Sequence, residues 1–276
     1  MYHDFYQLKE NPFNVTADPD FFFSSKYHRE AIANLQYGIQ HRKGILVVTG
    51  EVGTGKTTLC RKLLRQSDRK TKFALILNPS FSEEQLLRMI VRDLGIWTRE
   101  KNKYGLIEVL NKFLLKQSNK GNNVVVVIDE AQNLSVDQLE QIRLLSNLET
   151  DKEKLLQLIL VGQPELDHML QLPQLRQLRQ RVAVYFKLSA LDKHDVKSYI
   201  THRLIKTAAN PDAMQYISFS DQAIEMIFKV TQGSPRSINI LCDRALLAGF
   251  IAETYVIDEN IIKSCADEVM YCEYNL

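Results

Sequence analysis

The feature that most constrains this chain is the run Gly50-Glu-Val-Gly-Thr-Gly55-Lys56-Thr57, set directly behind the apolar stretch Ile45–Thr49 and directly ahead of a helical run over Thr58–Leu64. It matches GxxxxGK[ST] in full, with strand before and helix after. Glycines let the backbone fold so that successive N–H groups and a helix N-terminus point at negative charge. Lys56 then adds a full positive charge near the β and γ phosphates of a nucleotide, and Thr57 offers its hydroxyl to Mg2+. The expected nucleotide contacts are Gly50, Glu51, Val52, Gly53, Thr54, Gly55, Lys56, Thr57 and Thr58.

A second constellation lies further along. Val124–Ile128 is a continuous apolar run ending in Asp129 and Glu130, which reads as a buried strand with two carboxylates at its tip. Asp129 is the residue on the magnesium side, directly or through water. Glu130 is suited to orient and polarise an attacking water. Either acid could instead cap the helix that begins near Ser135, but Ser135 with Gln138 already forms that cap.

Around these motifs, short apolar runs bounded by turn residues alternate with segments of helical period, the pattern of a mostly parallel sheet covered by helices. Strands are expected at Ile45–Thr49, Phe73–Asn78, Val124–Ile128, Leu156–Val161 and Val182–Leu188. A helix is expected from Glu83 to Leu94, with Ser82 and Gln85 as its capping box and Gly95 behind it. Others cover Leu106–Leu114 and start at Ser135. After Leu188 the strand signal stops, and helices alone are expected at Lys193–Lys206, Ser220–Thr231, Pro235–Ala252 and Glu259–Met270. Ser234 reads as an N-cap ahead of Pro235 at the first helical position. The expected division is an α/β nucleotide-binding domain over 1–188, including an N-terminal extension, and a small all-helical lid over 189–276.

Composition excludes several classes. Apolar residues make up 45% and charged residues 25% of the chain, which are ordinary globular values. A formal net charge of +2 is not that of a protein devoted to gripping nucleic acid. The four cysteines, Cys60, Cys242, Cys265 and Cys272, form neither a CxxC pair nor a disulfide framework, so reduced thiols and no cysteine-bound metal are expected. The start Met1-Tyr-His-Asp-Phe lacks a signal peptide, and no apolar run spans a bilayer. A cytoplasmic protein that reaches any membrane through a partner is the expectation.

The order of phosphate loop, acidic strand tip, later polar residue, arginine and helical tail resembles the AAA+ superfamily of P-loop ATPases. That resemblance implies ATP and Mg2+ as ligands. It assigns Gln163 as a sensor of the γ-phosphate or attacking water, and Arg236 as a second sensor on the lid. Arg181 becomes an arginine finger for a neighbouring subunit, with Arg176 and Arg179 as rivals that spacing does not rank. Asn78 would hold Glu130 in an inactive pose or serve only as a strand-end turn. Phe13 and Tyr27 would flank adenine or join the core.

A narrower resemblance rests on Phe5-Tyr-x-Leu8, Asn11-Pro-Phe13, Asp129-Glu-Ala-Gln-Asn133, Val161-Gly-Gln-Pro-Glu-Leu166, Leu175-Arg-Gln-Leu-Arg179 and Pro235-Arg-x-Ile-Asn-x-Leu-Cys-Asp-Arg244. Together these are similar to the ATPase module of the general secretion pathway protein A family of type II secretion, and to related pilus and exopolysaccharide ATPases. The resemblance implies a bacterial ATPase that forms homo-oligomers and works with a membrane or cell-envelope secretion partner at the inner face of the inner membrane. That family usually continues through a membrane helix into a peptidoglycan-binding region, which this sequence does not contain, so the chain reads as a stand-alone relative or an excised domain. Two other readings are an ATP-dependent DNA-binding regulator of transposition, with Arg61, Lys62, Arg65, Arg69, Lys70 and Lys72 as its basic face, and a nucleotide-gated switch with little turnover.

Overall fold

The computed structural model describes residues 2–79 and 82–273, with side chains through residue 266. The chain clusters into two compact units: residues 26–51 with 56–188, and residues 1–25 with 52–55 and 189–276.

The first unit is built on five parallel strands, β1 (Ile45–Gly50), β2 (Thr71–Ile76), β3 (Asn123–Ile128), β4 (Gln157–Gly162) and β5 (Val182–Leu188), in the order β2-β3-β4-β1-β5. β1, β3 and β4 are buried along their whole length, which is why their sequences read as unbroken apolar runs rather than alternating ones. β5 is an edge strand and alternates between half-buried and exposed positions. One face of the sheet, carrying Ile45, Val47, Val126, Ile128, Leu158 and Leu160, packs with Leu86, Ile90, Leu106, Leu110, Leu139 and Ile142 in a single core. Because all strands run the same way, their C-terminal tips lie at one edge, where an open α/β sheet binds its ligands.

Local chemistry accounts for most helix boundaries. Ser82 with Gln85, and Ser135 with Gln138, form complete capping boxes for helices Glu83–Asp93 and Val136–Leu145. Gly95 adopts φ +72 behind the first of these. β2 differs from the sequence expectation, since it starts at Thr71 and ends at Ile76 rather than running to Asn78. Pairing of Thr71 and Lys72 with Asn123 and Val124 draws the start back. Asn78 turns the chain at φ +54, a conformation asparagine tolerates better than most residues.

The second unit packs helices Lys193–Thr207, Asp221–Thr231 and Pro235–Ile251, with helix Glu259–Glu273, around its own core. Two corrections to the expectation arise here. It is not purely helical, because Ser218–Phe219 (β6) and Val256–Ile257 (β7) pair as a two-stranded parallel sheet. The N-terminal extension clusters with this unit and not with the five-stranded sheet. Tyr6, Leu8 and Phe13 are buried in its core, and that apolar surface is what holds the extension there.

Buried polar groups also secure it. Arg203 donates through Nε to Pro12 O at 2.5 Å and through Nη2 to Asn14 O at 2.7 Å, and lies 4.6 Å from the centre of the Phe21 ring. Asp243 accepts from Tyr2 Oη at 2.6 Å and Asn11 Nδ2 at 2.8 Å. The Asn11-Pro-Phe13 and Cys242-Asp243 motifs are thus joined as parts of one core. Phe13 is 1% exposed and fills that core, so of its two readings the structure supports the core one; Tyr27 is half-buried. Ser234 precedes helix Pro235–Ile251 without a side-chain capping bond. Among the described residues, no helix is long and apolar enough to cross a membrane.

Candidate functional site

β1 delivers the chain to Gly50, and helix Lys56–Gln66 carries it away. Between them, Gly53 and Gly55 take φ +79 and +93, angles that only glycine adopts without strain. Lys56 is 7% exposed, with Nζ donating to Gly50 O at 2.7 Å and Glu51 O at 2.8 Å. Burial pulls the Lys56 ammonium below its ordinary pKa, while the nearby charges of Glu130, Asp129 and Glu51 oppose that shift.

The acidic tip of β3 meets this loop. Thr57 Oγ1 donates to Asp129 Oδ2 at 2.5 Å, a bond between groups 72 residues apart. Burial raises the Asp129 carboxyl above its usual range, with the Thr57 bond acting against the rise. Thr57 hydroxyl and Asp129 carboxylate are hard oxygen donors of the kind magnesium takes, so the residues present fit that ion.

Glu130 has left-handed backbone angles, φ 55 and ψ 39, which cost a non-glycine residue about 1–2 kcal/mol. Its surroundings impose them. The Glu130 N–H donates to Asp129 Oδ1 at 3.0 Å, and its O accepts from Asn133 N at 2.9 Å. Its carboxylate Oε2 accepts from Gln132 Nε2 at 2.6 Å and Gln163 Nε2 at 3.2 Å. Gln132 Oε1 in turn accepts from Gln163 N at 3.0 Å. Strain of this kind, held in place by converging bonds, is typical of functional sites.

Gln163, the sensor expected from resemblance, is therefore brought to Glu130. Gln132, inside Asp129-Glu-Ala-Gln-Asn133, joins it there. Its spacing of two from Glu130 carries no periodic signal, and only the short turn Ala131–Asn133 turns its amide back towards the acid. Both glutamines bond the Glu130 carboxylate. Asn78 is exposed on its turn.

Arg236 opens helix Pro235–Ile251, and its N–H donates to Gly53 O at 3.3 Å. A Cβ built on Gly53 would fall 2.7 Å from Arg236 Cβ and 2.7 Å from Ser234 Oγ, so helix start and loop meet with no room for a side chain. Arg181 sits elsewhere. Ile45 pairs with Val182 and Gly50 with Leu188, so Arg181 lies at the opposite edge of the sheet, ~20 Å below the loop at about 3.3 Å per residue. That is beyond the reach of one side chain. Arg176 and Arg179 are exposed on the short helix before it, and Arg179 Nη1 donates to Leu170 O at 3.4 Å.

A family model described as an AAA domain matches residues 39–170. The chain is 41% identical over 271 residues to general secretion pathway protein A of Aeromonas hydrophila, covering 98% of this chain and 48% of that protein. It thus spans about half the length of that curated relative. Among solved structures, Cdc6p from Pyrobaculum aerophilum matches with a TM-score of 0.68 at 19% identity over 91% of this chain and 70% of its own. The Aeropyrum pernix ORC2 protein in its ADPNP–ADP complexes matches with a TM-score of 0.64 at 16% identity, over 87% and 66%. The Thermotoga maritima RuvB branch migration motor matches with a TM-score of 0.58 at 17% identity, over 95% and 72%. At these identities the likeness is one of fold.

Proposed function

We propose that this chain, in which residues 39–170 match an AAA domain model on a five-stranded sheet, binds ATP with magnesium, hydrolyses it to ADP and phosphate, and uses turnover to support a bacterial secretion or cell-envelope complex. The observation that carries the reading is the 2.5 Å bond from Thr57 to Asp129, which joins the phosphate loop to the acidic tip of β3.

Each residue has a task in this scheme. The loop amides from Gly50 to Thr58 and the Lys56 ammonium hold the phosphates. Thr57 and Asp129 would hold magnesium, which when bound would supply positive charge to neutralise the phosphates. Glu130 orients a water and draws its proton as the water oxygen bonds the γ-phosphorus and the bond to the β,γ-bridging oxygen breaks. Gln132 and Gln163 fix the carboxylate that does this. Arg236, next to Gly53, reads the phosphates from the lid with a fixed charge and planar donors.

Arg181, too far from its own loop, serves the nucleotide of a neighbouring copy, where a finger stabilises charge developing on the γ-phosphoryl group. This reading supports a homo-oligomer whose sites are shared between subunits. The secretion role is supported by the relative from Aeromonas hydrophila and is exerted at the inner face of the inner membrane, through a partner or through chain beyond this sequence.

Glu130→Gln is the direct test. It should retain ATP affinity while turnover falls at least about 100-fold, the lower range for loss of a general base, whereas Lys56→Ala should lose tight binding altogether. Equal turnover in wild type and Glu130→Gln would refute the hydrolytic role. The cellular role predicts that a strain carrying Glu130→Gln stops exporting its secreted proteins, and undiminished export argues against it.

A further inference from the structure

Behind the phosphate loop, three side chains from three elements of the sheet unit close on one another. Thr49, fully buried and one residue ahead of Gly50, donates through Oγ1 to Asp167 Oδ2 at 3.1 Å. Tyr185 on β5 donates through its hydroxyl to Asp167 Oδ1 at 2.6 Å. The two hydroxyl oxygens lie 3.2 Å apart. Asp167 stands on helix Pro164–Leu170, for which Gln163 is the N-cap residue. Gln163 and Asp167 are four positions apart and so separated by about one helical turn. The carboxylate is thus the common acceptor for hydroxyls from the loop strand and from β5, on the helix that carries the sensor amide.

We propose that Thr49, Asp167 and Tyr185 form a positioning network that sets the place of Gln163, and through it the Glu130 carboxylate, relative to the phosphate loop. The proposal rests on the ATP-hydrolysis reading above. None of the three touches nucleotide in this scheme; they act by fixing the rotation of a two-turn helix whose Leu166 and Leu170 pack into the core. Displacement of a reacting group by about 1 Å can cost on the order of 100-fold in rate, whereas phosphate binding by the loop amides and Lys56 does not pass through Gln163.

The test compares Asp167→Asn, Tyr185→Phe and Thr49→Val with wild type, measuring ATP affinity in the Glu130→Gln background and steady-state turnover with Glu130 intact. Each variant should lower kcat by roughly 10- to 100-fold with affinity within about twofold, and Thr49→Ser should restore turnover because it restores the hydroxyl. The same three changes made in Gln163→Ala should produce little further loss, because the residue they position is gone. Unchanged kcat in Asp167→Asn and Tyr185→Phe would overturn the proposal, as would a loss that persists in full without Gln163. If wild type and Glu130→Gln both fail to hydrolyse ATP, the hydrolysis reading falls first and the positioning role with it.

Discussion

Gly53→Ala is the substitution whose cost can be worked most directly from the structure. At φ +79 an alanine sits in the left-handed region, at about 1–2 kcal/mol. Its Cβ would also stand 2.7 Å from Ser234 Oγ and 2.7 Å from Arg236 Cβ. The serine hydroxyl can rotate away, but the arginine Cβ is fixed to the start of a long helix. If the helix start moves instead, the Arg236 N–H bond to Gly53 O is lost, at about 0.5–1.5 kcal/mol. The smaller route therefore costs about 1.5–3.5 kcal/mol, or roughly 10- to 400-fold in an equilibrium constant at 1.36 kcal/mol per decade. ATP affinity should fall within that range, measured by competition with a fluorescent nucleotide, and the urea midpoint should fall with it. Gly44→Ala is the control, since its Cβ meets only Lys154 Cε at 3.9 Å, and its effect should stay within about 0.5 kcal/mol. Wild-type affinity and stability in Gly53→Ala would show that the loop and the start of the Arg236 helix do not meet as described.

Three further outcomes follow from the same geometry. Arg181→Ala should lose turnover as an oligomer yet regain part of it when mixed with Glu130→Gln, because each supplies what the other lacks; no recovery on mixing would argue for a finger in Arg176 or Arg179. Burial holds the Asp129 carboxyl above its ordinary range, so the folded state binds that proton more tightly than the unfolded chain. Stability present below the unfolded value of about 3.9 is then lost as pH rises through the folded value. Asp129→Asn should accordingly raise the Tm of nucleotide-free protein at pH 7, with the gain shrinking towards pH 4, and a lower Tm at pH 7 would contradict this. Finally, Arg203→Met should cost about 3 kcal/mol by urea unfolding, since it removes the buried donor to Pro12 O and leaves Asn14 O only its longer bond from Asn239 Nδ2; a loss under about 1 kcal/mol would make those bonds incidental.

Much of the sheet, and the place of the glycine-and-lysine loop behind its first strand, is legible in the sequence because both are written locally. An apolar strand needs a continuous run, and a phosphate loop needs glycines and a lysine at set intervals. Ser82 and Ser135 cap where their spacing to glutamine says they should. The errors fall where partners are distant. β6 and β7 are two residues each, too short for any period to register, and exist because their segments pair side by side. Ser234 does stand at the N-cap position ahead of Pro235, and only its side-chain capping bond is not made. The N-terminal extension clusters with the helical unit, which the sequence does not indicate, because Tyr6, Leu8 and Phe13 show only that they want burial and not in which core.

By itself the sequence determined where a glycine-and-lysine loop follows a strand, which strand ends in acid, and that five strands lie parallel under helices. Only tertiary structure decided the bond between Thr57 and Asp129, the convergence of Gln132 and Gln163 on a strained Glu130, and the distance of Arg181 from the loop that follows β1. The physical reason is that periodicity and motif spacing act over a few residues. Hydrogen bonds between strand tips depend on which strands become neighbours, and that is set by how the whole sheet is ordered.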